Sequence, residues 1–155
     1  VINIIPESKE LGYVGTPKKI NKEKILNIIN NKQIPIVVPL GVGDDGRIYN
    51  INADVAAGSI AKEIDARRLL LMTDVEGVLD ENQKLISEIN LNRANEMLKN
   101  NIISGGMIPK INTCLDAISN GVRGVVIVDG RKPHSILFEL FSDKGAGTLI
   151  RKWII

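Results

Sequence analysis

The sequence predicts an α/β fold, a three-layer αβα sandwich built on a mainly parallel sheet. Three observations lead there. Residues 34–40 (IPIVVPL), 68–73 (RLLLMT) and 124–128 (GVVIV) are apolar throughout rather than alternating, which suits strands buried on both faces. Segments with apolar residues at helical spacing stand between these runs. Strands and helices in alternation imply right-handed crossovers, and hence parallel pairing.

In chain order, residues 21–32 (NKEKILNIINNK) place Ile25, Leu26, Ile28 and Ile29 on one stripe of a helix. The apolar run 34–40 follows as the first strand. Residues 52–64 are rich in Ala and open on Asn52, a natural N-cap, so a second helix is expected there. The second strand, 68–73, ends in Asp74-Val75-Glu76-Gly77, and a polar loop around 80–84 leads to a helix over 87–100. A helix over 107–120 closes on Asn120-Gly121, a C-cap signal. The strand 124–128, a helix over 133–141 and a short strand over 148–152 complete the order. No repeat or low-complexity linker intervenes, so residues 1–155 read as a single α/β unit whose first twenty residues are left unassigned.

Composition excludes several function classes. The 155 residues carry 20 Lys and Arg against 18 Asp and Glu, a net charge of +2, far from the basic stripe of a nucleic-acid binder. Aromatic residues make up 3% of the chain and are scattered, which leaves no platform for stacked bases. A single cysteine and a single histidine exclude a disulfide framework and an ordinary structural zinc site. No run has the length of a membrane span, and the first residues lack a signal peptide's basic start and apolar stretch, so a cytoplasmic setting is expected.

In open α/β sheets ligands bind outside the carboxyl ends of the strands. That rule selects the segments after Leu40, after Thr73 and before Met107. Gly41–Gly46 fits G-x-G-x-x-G, yet Arg47-Ile48-Tyr49-Asn50 separate it from any helix and two aspartates stand inside it, so a glycine-rich turn is favoured over a dinucleotide loop. Asn50 and Asn52, two apart in an extended approach, face one side, and Asp54 sits in the first turn of a helix whose dipole keeps it ionised. The competing reading is that Asn52 and Asp54 only cap that helix. Asp74, Val75, Glu76, Gly77, Val78 and Leu79 form either a ligand-contacting strand end or a surface turn.

Ser104-Gly105-Gly106 lead into a helix with Lys110 in its first turn, where the dipole favours acids. Open glycine amides followed by an ammonium make an anion site suited to a phosphate chain, and the competing reading is an ordinary solvated helix lysine. The Walker pattern is absent. His134 at a helix start is expected at the surface or as a cap, and Cys114 as a buried thiol.

Taken together, GVGDDGRIYNINADVAAG (41–58), LLLMTDVEGVLD (69–80), IISGGMIPK (102–110) and VDGRKPHSILFELFSDKGAGTLI (128–150) resemble the amino-acid kinase family, and within it the branch that phosphorylates N-acetyl-L-glutamate in arginine biosynthesis. The resemblance implies ATP as phosphoryl donor, with Mg2+ carried by the nucleotide and no metal site of the chain's own. It implies that Asn50 and Asn52 bind substrate, that Asp54 organises the catalytic lysines and that Lys110 stabilises the transferring phosphoryl group. ATP contacts are implied for Asp74 to Leu79 and for Ile102, Ile103 and Ser104. The family's first strand, catalytic lysine, paired-glycine loop and substrate-binding arginine are not visible, so the chain is expected to correspond to the C-terminal nucleotide-binding lobe, inactive alone, with Val1 marking a cut. Homo-oligomers are implied for the full-length protein, with arginine as a feedback inhibitor whose place would be near His134 and residues 142–147. A glutamate 5-kinase, aspartokinase or uridylate kinase, or a non-catalytic arginine-binding lobe, remain as alternatives.

Overall fold

A computed structural model describes residues 1–153; Ile154 and Ile155, the end of the stretch read as one unit, lie outside the described residues. The chain forms two compact units, Val1–Asp65 and Ala66–Ile155, each with its own four-stranded sheet, where the sequence reading had a single unit. The α/β class stands, with pairing that is mixed rather than mainly parallel.

In the first unit, strand β1 (Ile2–Pro6) pairs antiparallel with β2 (Gly15–Ile20). Strand β3 (Leu40–Val42) runs parallel to β1 and antiparallel to β4 (Ile48–Asn50), giving the order β2-β1-β3-β4. Helix α1 (Lys22–Asn30) is capped by Asn21, whose Oδ1 accepts the Lys24 amide at 3.3 Å, and helix α2 (Ala53–Glu63) begins after Asn52. Ile2, Ile4, Ile20, Ile25, Tyr49, Ile51 and Ala56 form the core. β1, β2 and β4 escaped the sequence reading because they are short and carry polar residues; β2 alone holds Pro17, Lys18 and Lys19.

Residues 34–40 are not a doubly buried strand. Ile34 and Ile36 are 89% and 93% exposed, and of this run only Val37 packs on the core. Pro35 and Pro39 each remove an amide donor, so the segment cannot hold a continuous ladder. Pairing begins only at Leu40.

Of the glycine-rich stretch Gly41–Gly46, Gly41 and Val42 belong to β3, and the residues from Gly43 to Gly46 turn the chain into β4. The Gly43 amide donates to Arg47 O at 2.9 Å, closing a hairpin between β3 and β4, and no helix N-terminus follows. Asp45 accepts the Arg47 amide at 3.0 Å and the Tyr49 hydroxyl at 2.8 Å. Those two bonds hold the Asp45 carboxyl below the usual carboxylate range, and the second of them, with burial, pushes the Tyr49 hydroxyl up.

In the second unit the order is β5-β7-β8-β6. Strands β5 (Arg68–Thr73) and β7 (Gly124–Asp129) are parallel and in register from Arg68 opposite Gly124 to Thr73 opposite Asp129. β8 (Gly147–Arg151) runs antiparallel to β7 and parallel to β6 (Glu88–Asn90). All six residues of β7 are buried, as its unbroken apolar run requires of a central strand. At Gly147 a Cβ would stand 1.9 Å from Ile127 O, so the two strands meet there only because a side chain is missing.

The helix expected over 87–100 is divided: β6 comes first, and Asn90 then caps helix α3 (Leu91–Lys99) by accepting the Arg93 amide at 2.8 Å. Helix α4 (Met107–Ser119) buries Ile111, Cys114, Ala117 and Ile118 on one face, and Gly121, at φ 108, ends it. Helix α5 (Ser135–Phe141) precedes β8.

Candidate functional site

The carboxyl ends of β5 and β7 are tied together by the Gly130 amide, which donates to Thr73 O at 2.7 Å. Beyond Thr73 the chain exposes Asp74, Val75 and Glu76, then buries Gly77 and Val78. Gly77 has φ 149, and a Cβ on it would meet Thr148 Oγ1 at 2.6 Å and Leu85 Cδ1 at 2.7 Å. Conformation and space both demand glycine there.

Thr148, fully buried, organises the following loop. Its hydroxyl accepts the Val78 amide at 2.8 Å and donates to Ile86 O at 2.6 Å, while the Ile86 amide returns to Val78 O at 2.9 Å. Leu79 bridges to Leu85, and the Asp80 carboxylate takes the amides of Asn82 and Lys84 at 2.8 and 2.9 Å. The stretch read as a strand end or surface turn is therefore an ordered hairpin with an exposed acidic lip.

A charged cluster that sequence reasoning missed completes this end of the sheet. Asp129 is 2% exposed, and Arg131 clamps it with Nε on Oδ1 and Nη2 on Oδ2, both at 2.9 Å, and with its amide on Oδ1 at 3.0 Å. The Arg131 guanidinium, and then its amide, hold the Asp129 carboxyl down to about 2. Lys132 Nζ lies 2.8 Å from Glu76 Oε1. The signal was available: parallel strands end on one side, so the residues after 124–128 belong with those after 68–73.

Ile102, Ile103 and Ser104 join α3 to α4. The amides of Ile102 and Ile103 both donate to Met97 O, at 3.0 and 3.3 Å, and bury Ile103 while Ser104, Gly105 and Gly106 stay exposed. A Cβ on Gly105 or Gly106 would meet nothing within 4 Å. Helix α4 starts without a side-chain cap and with no acid in its first turn, where Lys110 is half-buried. It packs on β7 and only four residues join them, so it runs counter to that strand and its N-terminus lies at the strand's carboxyl end. Open amides, the helix dipole and one ammonium give that end the chemistry of a phosphate cradle.

Asn50, Asn52 and Asp54 belong to the first unit. Tyr49 and Ile51 are buried while Asn50 and Asn52 are exposed, so the alternation does bring both amides to one side. Asn52 also caps α2, its Oδ1 accepting the Asp54 and Val55 amides at 3.0 and 3.3 Å. Asp54 is half-buried in the first turn of that helix.

The second unit also contains a cavity of about 780 Å3, lined among others by Leu85, Lys132, His134, Phe138, Phe141 and Gly145. It joins His134 to most of the stretch 142–147. His134, exposed, precedes α5 with φ 60 and makes no side-chain cap bond. Cys114 is buried in helix α4. Among the described residues no group of three His, Cys, Asp or Glu side chains is placed to hold a metal ion, and no helix is long and apolar enough to cross a membrane.

Residues 2–129 match the family model of the amino acid kinase family. The chain is 58% identical over 152 residues to the acetylglutamate kinase of Pelagibacter ubique, covering 98% of this chain and 53% of that protein. It spans about half the length of the curated relatives it matches. The N-acetylglutamate synthase of Neisseria gonorrhoeae, solved with coenzyme A and L-arginine, superposes with a TM-score of 0.86 at 25% identity, over 92% of this chain and 33% of that one. The carbamate kinase of Giardia lamblia bound to citric acid shares the fold, with a TM-score of 0.71 at 21% identity over 90% of this chain and 46% of that one.

Proposed function

This chain belongs to the amino acid kinase family, and from that premise we propose that it is the nucleotide-binding part of an enzyme that phosphorylates the side-chain carboxylate of N-acetyl-L-glutamate with ATP, an early step of arginine biosynthesis in the cytoplasm. The observation that carries the reading is the uncapped start of α4, with two glycines facing open space and Lys110 in its first turn. ATP, bringing Mg2+ with it, supplies the phosphoryl group. The exposed lip Asp74 to Glu76 and the hairpin through Gly77, Val78 and Leu79 hold the nucleotide from the β5 side, and Ile102, Ile103 and Ser104 hold it from the α4 side.

Phosphoryl transfer depends on positioning and on cations placed where charge accumulates. Lys110 then stabilises the moving phosphoryl group, Asp54 orients the catalytic lysines, and Asn50 and Asn52 hold the acceptor. Because this chain spans half of its relatives' length, the rest of the acceptor site comes from the other half, and residues 1–155 alone turn over no substrate. The full-length enzyme assembles into homo-oligomers.

A coupled assay of ADP release by the full-length enzyme, run with N-acetyl-L-glutamate, glutamate, aspartate and UMP, tests the assignment. Turnover is expected with the first alone. Preference for one of the others would move the protein to another branch of the family.

A second reading concerns regulation. The cavity of about 780 Å3 beside His134 has an apolar wall in Phe138 and Phe141, and the relative solved with L-arginine makes that amino acid the first candidate for it. Saturable binding of L-arginine that Phe138→Ala weakens supports a feedback site; binding unaffected by that change removes it.

A further inference from the structure

At the opposite end of the second unit's sheet from Thr73 and Asp129, four arginines surround a small cavity. It measures about 230 Å3 and is lined by Arg67, Arg68, Arg123, Gly124, Leu149 and Arg151. Register explains why they meet. Arg68 on β5 and Arg151 on β8 both pair with Gly124 on β7, and residues directly opposite one another in a ladder share a face of the sheet. Gly124 thus lies between two arginines without a side chain of its own, over the Leu149 Cδ1 that a Cβ there would approach to 3.1 Å. Arg67 and Arg123 stand one residue before β5 and β7.

The charges do not balance within the fold. Arg68 Nη1 is 3.5 Å from Glu139 Oε1, and Arg151 is paired with Glu88. Among the described residues Arg67 and Arg123 enter no ion pair. Four guanidinium groups against two carboxylates leave a surplus of two positive charges at one cavity, in a chain whose whole net charge is +2. Guanidinium forks match the paired oxygens of a phosphoryl group, and two of the four here still have their donors to give.

We propose that this cavity binds a phosphate dianion, as the free ion or as the terminal phosphoryl group of an organic molecule. Two surplus cations match a dianion, and a cavity of about 230 Å3 takes a phosphoryl group while excluding a nucleotide. A strand of six residues, roughly 17 Å at the usual rise, separates it from the lip at Asp74, so its occupancy is independent of the site proposed for ATP.

The test titrates inorganic phosphate and glycerol 3-phosphate separately into the chain at constant ionic strength. Backbone amide shifts locate the site and calorimetry gives the affinity. Saturable shifts at Arg68, Gly124 and Arg151 are expected. The double variant Arg67→Gln/Arg123→Gln should lose affinity about tenfold or more, with Tm in the absence of phosphate unchanged. Arg67→Lys/Arg123→Lys, which keeps the charge and removes the fork, should lose less, and Lys132→Gln at the other end of the sheet should lose nothing. Tighter binding of the ester identifies an organic phosphate as the ligand and tighter binding of the ion identifies free phosphate, and either supports the site. Shifts that sodium chloride reproduces, shifts confined to other residues, or affinity equal in the parent and both double variants overturn it.

Discussion

Asp129 joins deep burial to full ionisation, because Arg131 satisfies both of its oxygens. A folded-state pKa of about 2, below the ordinary 3.8, means that its stabilising effect is complete above about pH 4 and fades as pH falls toward 2. Thermal melts from pH 6 to pH 2 should show Asp129→Asn less stable than the parent at pH 6, with the gap closing toward pH 2; a constant gap would show that ionisation of Asp129 is not involved. Lys110 makes a kinetic rather than a thermodynamic prediction. In the full-length enzyme Lys110→Ala should lower kcat by orders of magnitude while ATP affinity changes only a few fold, on the order seen when phosphoryl-stabilising cations are removed. Equal losses in both would make it a binding residue only. The position of Lys110 near the start of α4 was legible from the glycine pair before it, and its proposed role from a lysine standing where the dipole favours acids. The Asp129–Arg131 clamp was not, since the burial that makes it matter comes from β7 lying at the centre of the sheet.

Among the elements, helix α2 shows how one side chain answers to two requirements. Asn52 caps it through two amide bonds and also stands on the exposed side with Asn50. Asn52→Ala should cost about 1 kcal/mol in chemical denaturation, whereas Asn52→Asp keeps the cap. If Asn52 also holds the acceptor, Asn52→Asp raises KM in the full-length enzyme with Tm unchanged; an unchanged KM leaves the cap alone. The β7–β8 pair offers a sharper test. Gly147→Ala must push Ile127 O away from 1.9 Å, and should destabilise the chain by about 3 kcal/mol. The strands at 68–73 and 124–128 were readable because they are unbroken and central. Residues 34–40 misled for a physical reason: an apolar run interrupted by prolines reports hydrophobicity, and pairing needs donors that Pro35 and Pro39 do not have. β6 was read as helix because three residues carry too little periodicity to stand apart from α3.

At the scale of the whole molecule, two sheets replace the single one expected, and each has its own core. The first unit leaves Ile34, Ile36 and Val38 in solvent. Ile36→Lys, at a position 93% exposed, should therefore alter stability by less than about 0.5 kcal/mol while reducing self-association in light scattering. A large loss of stability would mean that the segment is covered in solution. The Thr148 hydroxyl links Val78 and Ile86 to the last strand, across a separation of 70 residues from Val78. Synthesis proceeds from the amino end, so the hairpin proposed to hold ATP is made early and stays without its anchor until β8 has left the ribosome. Nascent chains stopped before Thr148 should leave that hairpin open to proteases, and the capacity to bind nucleotide should arrive late and all at once.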